Sequence, residues 1–344
     1  MVTAINQAYQ LMHTHFHDRV RRNEPLTRHC SFEVGGPADL WVALDTHEEL
    51  ETLLRLCATH HVPLLLTGAG RNVIFADEGV RGIVARMDLQ RYEIQDHRDG
   101  TATLIAEAGV RWPQLLHQLI PAGWSGLEFG IGIPGTLGAG LVSNAGAHNQ
   151  ELGQALEWIE VLDARNCNTH VGELFPTLVM RRYHHDDIDL SYRHSRFRIN
   201  RYTHLDRQGN LIFPVRQLIE PAEIIVKLGL RLHHEDPRQL TARCDGYIED
   251  RRANEPPLPG TGPIFKDPPG SLAKDVIAQA GLGGKTIGKA QISEQNPNYI
   301  VNADGATARE IFSLIKEAHQ GVLKHAGIEL ALNVDILGAW PGRS

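Results

Sequence analysis

No apolar run in these 344 residues reaches the ~18 that a membrane-spanning helix needs. No stretch of five like charges occurs and the net charge is −7, so nothing at whole-chain level supports nucleic-acid binding. The N-terminal residues show no apolar signal-peptide core, and the expectation is a cytoplasmic protein. Cys30, Cys57, Cys167 and Cys244 lie far apart and form no C-x-x-C or zinc spacing. They are expected to be buried, reduced thiols. Histidines number 19, but His13, His15 and His17 alternate and cannot share a helix face. A solvated surface accounts for them, and no metal site is expected. Internal repeats and low-complexity tracts are also missing.

What is present is ordinary soluble composition, 42% apolar and 22% charged. The length suggests two or three domains with a sizeable core. Residues 1–25 read as a polar helical extension ending before Pro25. An α/β pattern follows: helical spacing over 48–61, a short buried strand at 63–70, strands at 82–87 and 102–109, a helix over 112–123 and a strand at 155–164. Residues 223–234 read as a strand, and a domain boundary is expected near 235. Thr307 and Glu310 form a T-x-x-E capping box. Ile311, Leu314, Ile315, Ala318 and Val322 mark the apolar face of the helix that follows. Residues 327–338 alternate as one strand, with Ile328, Leu330, Leu332, Val334 and Ile336 on one face.

Two glycine-rich segments carry the chemistry. In LLLTGAGRNVIF (64–75) a strand runs into Gly68, Ala69 and Gly70, a turn whose N–H groups can form an anion-binding nest. No helix pattern follows, so this is not a dinucleotide-binding fingerprint. In GLEFGIGIPGTLGAGLVSNAGAHNQE (126–151), Gly130, Gly132, Gly135, Gly138, Gly140 and Gly146 crowd together. Close backbone approach to a large planar or pyrophosphate ligand explains that density, as would a glycine-rich structural crossover.

Together with SFEVGGPADL (31–40), SYRHSRF (191–197) and IFKDP (264–268), these segments resemble, in order, the motifs of the UDP-N-acetylenolpyruvoylglucosamine reductase (MurB) family. Residues 285–312 resemble its G-x-x-I-G-x-A-x-x-S-x-x-x-x-N-F-I-x-N segment, keeping Gly288, Ala290, Ser293, Asn298 and Asn302. The resemblance runs from about Leu26 to Gly338. It implies a mixed α+β and α/β chain: an FAD-binding fold of the vanillyl-alcohol-oxidase (PCMH) type in two lobes, 26–90 and 91–235, then a substrate-binding α/β domain over 236–344. It implies FAD as cofactor, NADPH as hydride donor, and reduction of UDP-N-acetylglucosamine enolpyruvate to UDP-N-acetylmuramate in peptidoglycan synthesis. The expected partner is a UDP-sugar nucleotide, with no nucleic acid or membrane, and the expected state a monomer or weak oligomer.

The resemblance implies flavin contact by Thr67, Gly68, Ala69, Gly70, Arg71, Asn72 and Val73, and by Gly132, Ile133, Pro134, Gly135, Thr136, Gly138, Asn144, Ala145 and Gly146. Arg193 matches the family's catalytic arginine, suited to the negative charge that hydride addition builds on the substrate's carboxylate side. Tyr192, Arg251, Arg252, Lys266 and Lys289 are candidate substrate contacts. Residues 198–222 read as an insertion, a lid or an interface element.

The protonation apparatus departs from the pattern. Pro263 stands where the family has a serine proton donor, Asn333 where it has a supporting glutamate, and Asp267 where it has asparagine. Proline has no exchangeable proton, and asparagine is no acid near neutral pH. Asp335, on the same strand face as Asn333, is the first candidate for a relocated donor; Thr261, Lys266, Asp267 or a water are others. The alternatives are a different flavin-dependent oxidoreduction or a non-catalytic flavin- or sugar-nucleotide-binding paralogue.

Overall fold

Two sheets and a small third domain meet around one cleft. The computed structural model describes residues 2–169, 176–199, 203–257 and 260–341. The first sheet runs in the order Arg21–Pro25, Pro37–Leu44, Val80–Met87, Leu64–Thr67, Ile219–Glu220. All pairs after the first are parallel. Parallel strands covered on both faces read as unbroken apolar runs, and Leu64–Thr67 is buried throughout. Helix His47–His60 covers one face with Leu50, Leu53, Leu54 and Cys57. The Thr46 hydroxyl caps it by accepting from Glu49 N at 3.2 Å.

The N-terminal segment is not a helix as far as Pro25. The helix is Val2–Phe16, and Arg21–Pro25 is an edge strand paired with Pro37–Leu44. Nor is that helix a polar extension. Ala8, Met12 and Phe16 recur every four residues and are buried in the first core, where Met12 and Phe16 contribute roughly 1.5–3 kcal/mol each. The polar residues Asn6, Gln7, Gln10, Thr14 and His15 on the exposed face mask this stripe in the sequence.

The second sheet is antiparallel, ordered Val179–His184, Leu156–Asp163, Glu223–His234, Thr101–Glu107, Tyr92–Asp96. Helix Pro237–Asn254 belongs with it, because Leu240 and Cys244 enter its core. The third domain therefore begins after Asn254 rather than near 235. It holds the three-stranded sheet Thr286–Ile287, Ala290–Ile292, Ile300–Asn302 and the helix Ala308–Ala326. The Thr307–Glu310 capping box forms in both directions.

The closing segment is only partly a strand. Asp335–Leu337 pairs in parallel with Val73–Phe75, while Leu332 bridges to Phe265. This pairing lays the third domain's end directly against the first glycine turn. The four cysteines are buried and unbridged, and no cluster of metal-binding side chains occurs among the described residues. No helix among them is long and apolar enough to cross a membrane.

Of the expected 198–222 insertion, 200–202 lie outside the described residues. The remainder forms no lid: the hairpin His204–Leu205/Leu211–Ile212 packs Leu205 and Leu211 on the third core. Ile219–Glu220 completes the first sheet.

Candidate active site

A cleft of about 1700 Å³ of empty space, counted to its open mouth, lies between the three parts. One wall is the turn after Leu64–Thr67. Among the described residues, the backbone N–H groups of Ala69, Gly70, Arg71 and Asn72 donate to no protein acceptor, an arrangement that can receive an anionic group. Thr67 to Val73 all line the cleft, as do Ile133 to Thr136, Gly138, Ala145 and Gly146. The two glycine segments touch: a Cβ on Gly68 would lie 2.8 Å from Ala139 Cβ.

Gly132 and Asn144, expected at the ligand, do not line the cleft. A Cβ on Gly132 would meet Arg251 Nε at 2.7 Å, so this glycine admits the arginine. Asn144 is a buried clamp. It donates to Ser191 O at 3.0 Å and to Glu151 Oε2 at 2.7 Å, and accepts from Gly153 N at 2.9 Å. Asn144 thus ties the second glycine segment to the turn that carries Arg193. The glycine density has two causes, ligand approach and packing: a Cβ on Gly130 would lie 2.2 Å from the Trp112 ring.

Arg193 sits in that turn with φ +53°, a conformation uncommon for a side-chain-bearing residue. Its guanidinium lines the cleft and donates to Gly146 O at 2.8 Å. Behind it lies Arg198, 1% exposed, which donates to Arg193 O at 3.1 Å and pairs with Asp335 Oδ1 at 3.3 Å. Arg198 carries no sequence signal, because an arginine in a polar, aperiodic stretch gives no sign of being buried.

Asn333 and Asp335 both line the cleft, on the same wall as Pro263. Asn333 is 7% exposed; it donates from Nδ2 to Pro263 O at 3.0 Å, and its backbone O accepts from Asn72 Nδ2 at 2.7 Å. Its Oδ1 is buried without a protein partner among the described residues, as is the Trp112 indole N–H. Two buried polar atoms left for a ligand, the free N–H groups of the turn and the glycine walls fit a large planar, phosphate-bearing cofactor.

Of the expected substrate contacts, only Arg251 lines the cleft. Its Nη2 donates to Glu255 Oε2 at 2.7 Å. Arg252 and Lys289 are exposed outside it. Tyr192 is also outside, donating from its hydroxyl to Asp267 Oδ2 at 3.0 Å. Asp267 also accepts from Ala273 N at 2.8 Å, at the start of helix Ala273–Gln279, so the change from asparagine has a structural use. Lys266 is half-buried behind the cleft wall. Burial first, then the positive charges of Arg198 and Arg193, push its amine down to about 8, with Asp335 opposing. Glu255 and Tyr299 line the cleft beyond the predicted set. Tyr299 sits in the family-like segment where the pattern has phenylalanine, the one sequence signal for it.

Residues 38–168 match the FAD binding domain model, and residues 254–337 match the C-terminal domain model of UDP-N-acetylenolpyruvoylglucosamine reductase. The chain is 35% identical over 326 residues to UDP-N-acetylenolpyruvoylglucosamine reductase 2 of Symbiobacterium thermophilum, covering 94% of each. It is 33% identical over 325 residues to the reductase of Heliobacterium modesticaldum, covering 94% of this chain and 92% of that one. The crystal structure of the reductase from Thermus caldophilus superposes with a TM-score of 0.70 at 28% identity, covering 94% of this chain and 99% of that one. A glycine-walled cleft with an arginine at its edge, in a chain similar along nearly its whole length to these enzymes, means that the protein is a flavin-dependent oxidoreductase belonging to the UDP-N-acetylenolpyruvoylglucosamine reductase family.

Proposed function

We propose that the chain catalyses the reduction of UDP-N-acetylglucosamine enolpyruvate to UDP-N-acetylmuramate, a step of peptidoglycan synthesis, with a proton donor other than the family's serine. FAD, when bound, would supply the hydride chemistry that links NADPH to the substrate's vinyl carbon. The residues that would hold it are the turn Thr67–Val73, the segment Ile133–Gly138 and Ala145–Gly146. The observation that carries the proposal is Arg193, held by Gly146 O and Asn144's clamp at the edge of the cleft those segments wall.

Hydride addition drives negative charge toward the substrate's carboxylate. Arg193 stands fixed to receive it, and a donor already oriented spends no reorganisation at the moment of reaction. Arg198 supports the Arg193 turn from below through its backbone carbonyl. Arg251 offers a second cation in the cleft wall, braced by Glu255, which an anionic part of the sugar nucleotide could meet. Saturable NADPH oxidation that requires the enolpyruvyl sugar nucleotide, with a product two mass units heavier than that substrate, is the expected result. NADPH oxidation indifferent to that compound would point to another acceptor. Flavin and sugar-nucleotide binding without turnover would support the paralogue reading that Pro263 and Asn333 suggest.

A further inference from the structure

Reduction of a carbon–carbon double bond needs one hydride and one proton. The loop that should provide the proton ends in Pro263, which has none to give. The cleft wall near it holds a phenol.

Tyr299 is 7% exposed and lines the cleft together with Pro263, Asn333, Arg193 and Glu255. Its neighbour Asn298 fixes it to the loop. Asn298 O accepts from Ile264 N at 2.8 Å, its Oδ1 accepts from Phe265 N at 2.9 Å, and its Nδ2 donates to Phe265 O at 3.0 Å. Tyr299 is therefore anchored alongside the two residues that follow Pro263. Glu255 lines the cleft with it, close enough for its charge to act on the phenol, and Arg251 Nη2 donates to that carboxylate at 2.7 Å.

We propose that the Tyr299 hydroxyl supplies the proton that completes the reduction. This rests on the reaction proposed above. A hydride bonds to one carbon of the enolpyruvyl double bond, whose π pair moves to the neighbouring carbon. That carbon takes the proton from Tyr299 as the phenolic O–H breaks. The phenolate regains its proton from solvent at the open mouth of the cleft. NADPH is the reductant oxidised, and no further reactant is needed.

Burial, then the neighbouring Glu255 charge, pushes the phenol well above its ordinary value. Burial also raises the Glu255 carboxyl, with Arg251 and Tyr299 opposing and Asp250 adding to the rise. The phenol therefore stays protonated until a substrate carbanion forms beside it, although it is a weaker acid than a free tyrosine. The other acids and hydroxyls nearby are committed: Asp335 is paired with Arg198, and Thr261 donates to Gly262 O at 2.9 Å.

The test uses holoenzyme, stopped-flow mixing and Tyr299→Phe, which restores the family's residue and removes one oxygen. Flavin reduction by NADPH should keep its rate, because none of these groups serves it. Reoxidation by the enolpyruvyl sugar nucleotide should slow by about 10²–10⁴-fold. Adding Pro263→Ser to that variant should recover part of the loss. Glu255→Gln should lower the pH at which the last tyrosine ionises in an ultraviolet titration, since a charge that opposes ionisation is gone. Unchanged reoxidation in Tyr299→Phe overturns the donor and leaves the reaction standing. Wild-type flavin that stays reduced overturns both.

Discussion

Asn333 Nδ2 donates to Pro263 O at 3.0 Å. The two positions that depart from the family pattern are thus bonded to each other. A carboxylate at 333 could only accept, and would face the Pro263 carbonyl oxygen. The substitutions therefore make one local structure.

Replacing Asn333 with Glu alone should destabilise the protein by about 1–3 kcal/mol, the usual penalty for an unmatched buried polar contact. The double variant Asn333→Glu, Pro263→Ser should show coupling in a denaturation cycle of both singles and the double. Fully additive losses would mean that a serine hydroxyl at 263 gives the introduced carboxylate no partner.

Removal of the Arg193 guanidinium should leave flavin content unchanged and lower the rate of substrate-dependent flavin reoxidation by about 10²–10³-fold. Arg193→Ala that loses its flavin would show instead that Arg193 is part of the cofactor's seat.

Gly68→Ala should loosen the cofactor. The added Cβ would press on Ala139 Cβ at 2.8 Å and Thr136 Oγ1 at 3.0 Å, forcing the two glycine walls apart at a cost of about 1–3 kcal/mol. Flavin absorbance relative to protein should fall in the purified variant.

Lys266 sets a pH dependence. Its amine lies at about 8 when folded against an ordinary 10.5. Between these values the unfolded chain binds the proton and the folded chain does not, so stability rises with pH across that window. Below about 8 both states are protonated and the unfavourable charge persists in full. Thermal denaturation of the wild type and Lys266→Met from pH 7 to pH 10 should show the wild type gaining on the variant as pH rises. A constant difference would remove the assigned shift.

Much of this was legible in the sequence because the signals are local. Glycine density, the buried run Leu64–Thr67, the Thr307–Glu310 box and the order of the family-like motifs all lie within short windows. The family and its flavin fold followed from those motifs and hold. What escaped were contacts made across the chain. Gly132 and Asn144 sit among flavin-facing neighbours, yet one admits Arg251 and the other clamps the Arg193 turn. Arg198 looked like any polar-loop arginine and is buried beneath Asn333 and Asp335. Asp335 was placed on the right wall, but its pairing with Arg198 could not be read from strand alternation. Helix Val2–Phe16 reads as polar because Asn6, Gln7, Gln10, Thr14 and His15 stand between the apolar residues it buries.

The most direct measurement is an anaerobic single turnover. The bound flavin is reduced with NADPH, UDP-N-acetylglucosamine enolpyruvate is mixed in, and the oxidised flavin band is followed while the product is identified by mass. The account predicts return of the band with one UDP-N-acetylmuramate formed per flavin. Flavin that remains reduced, with the enolpyruvyl compound recovered unchanged, would contradict it.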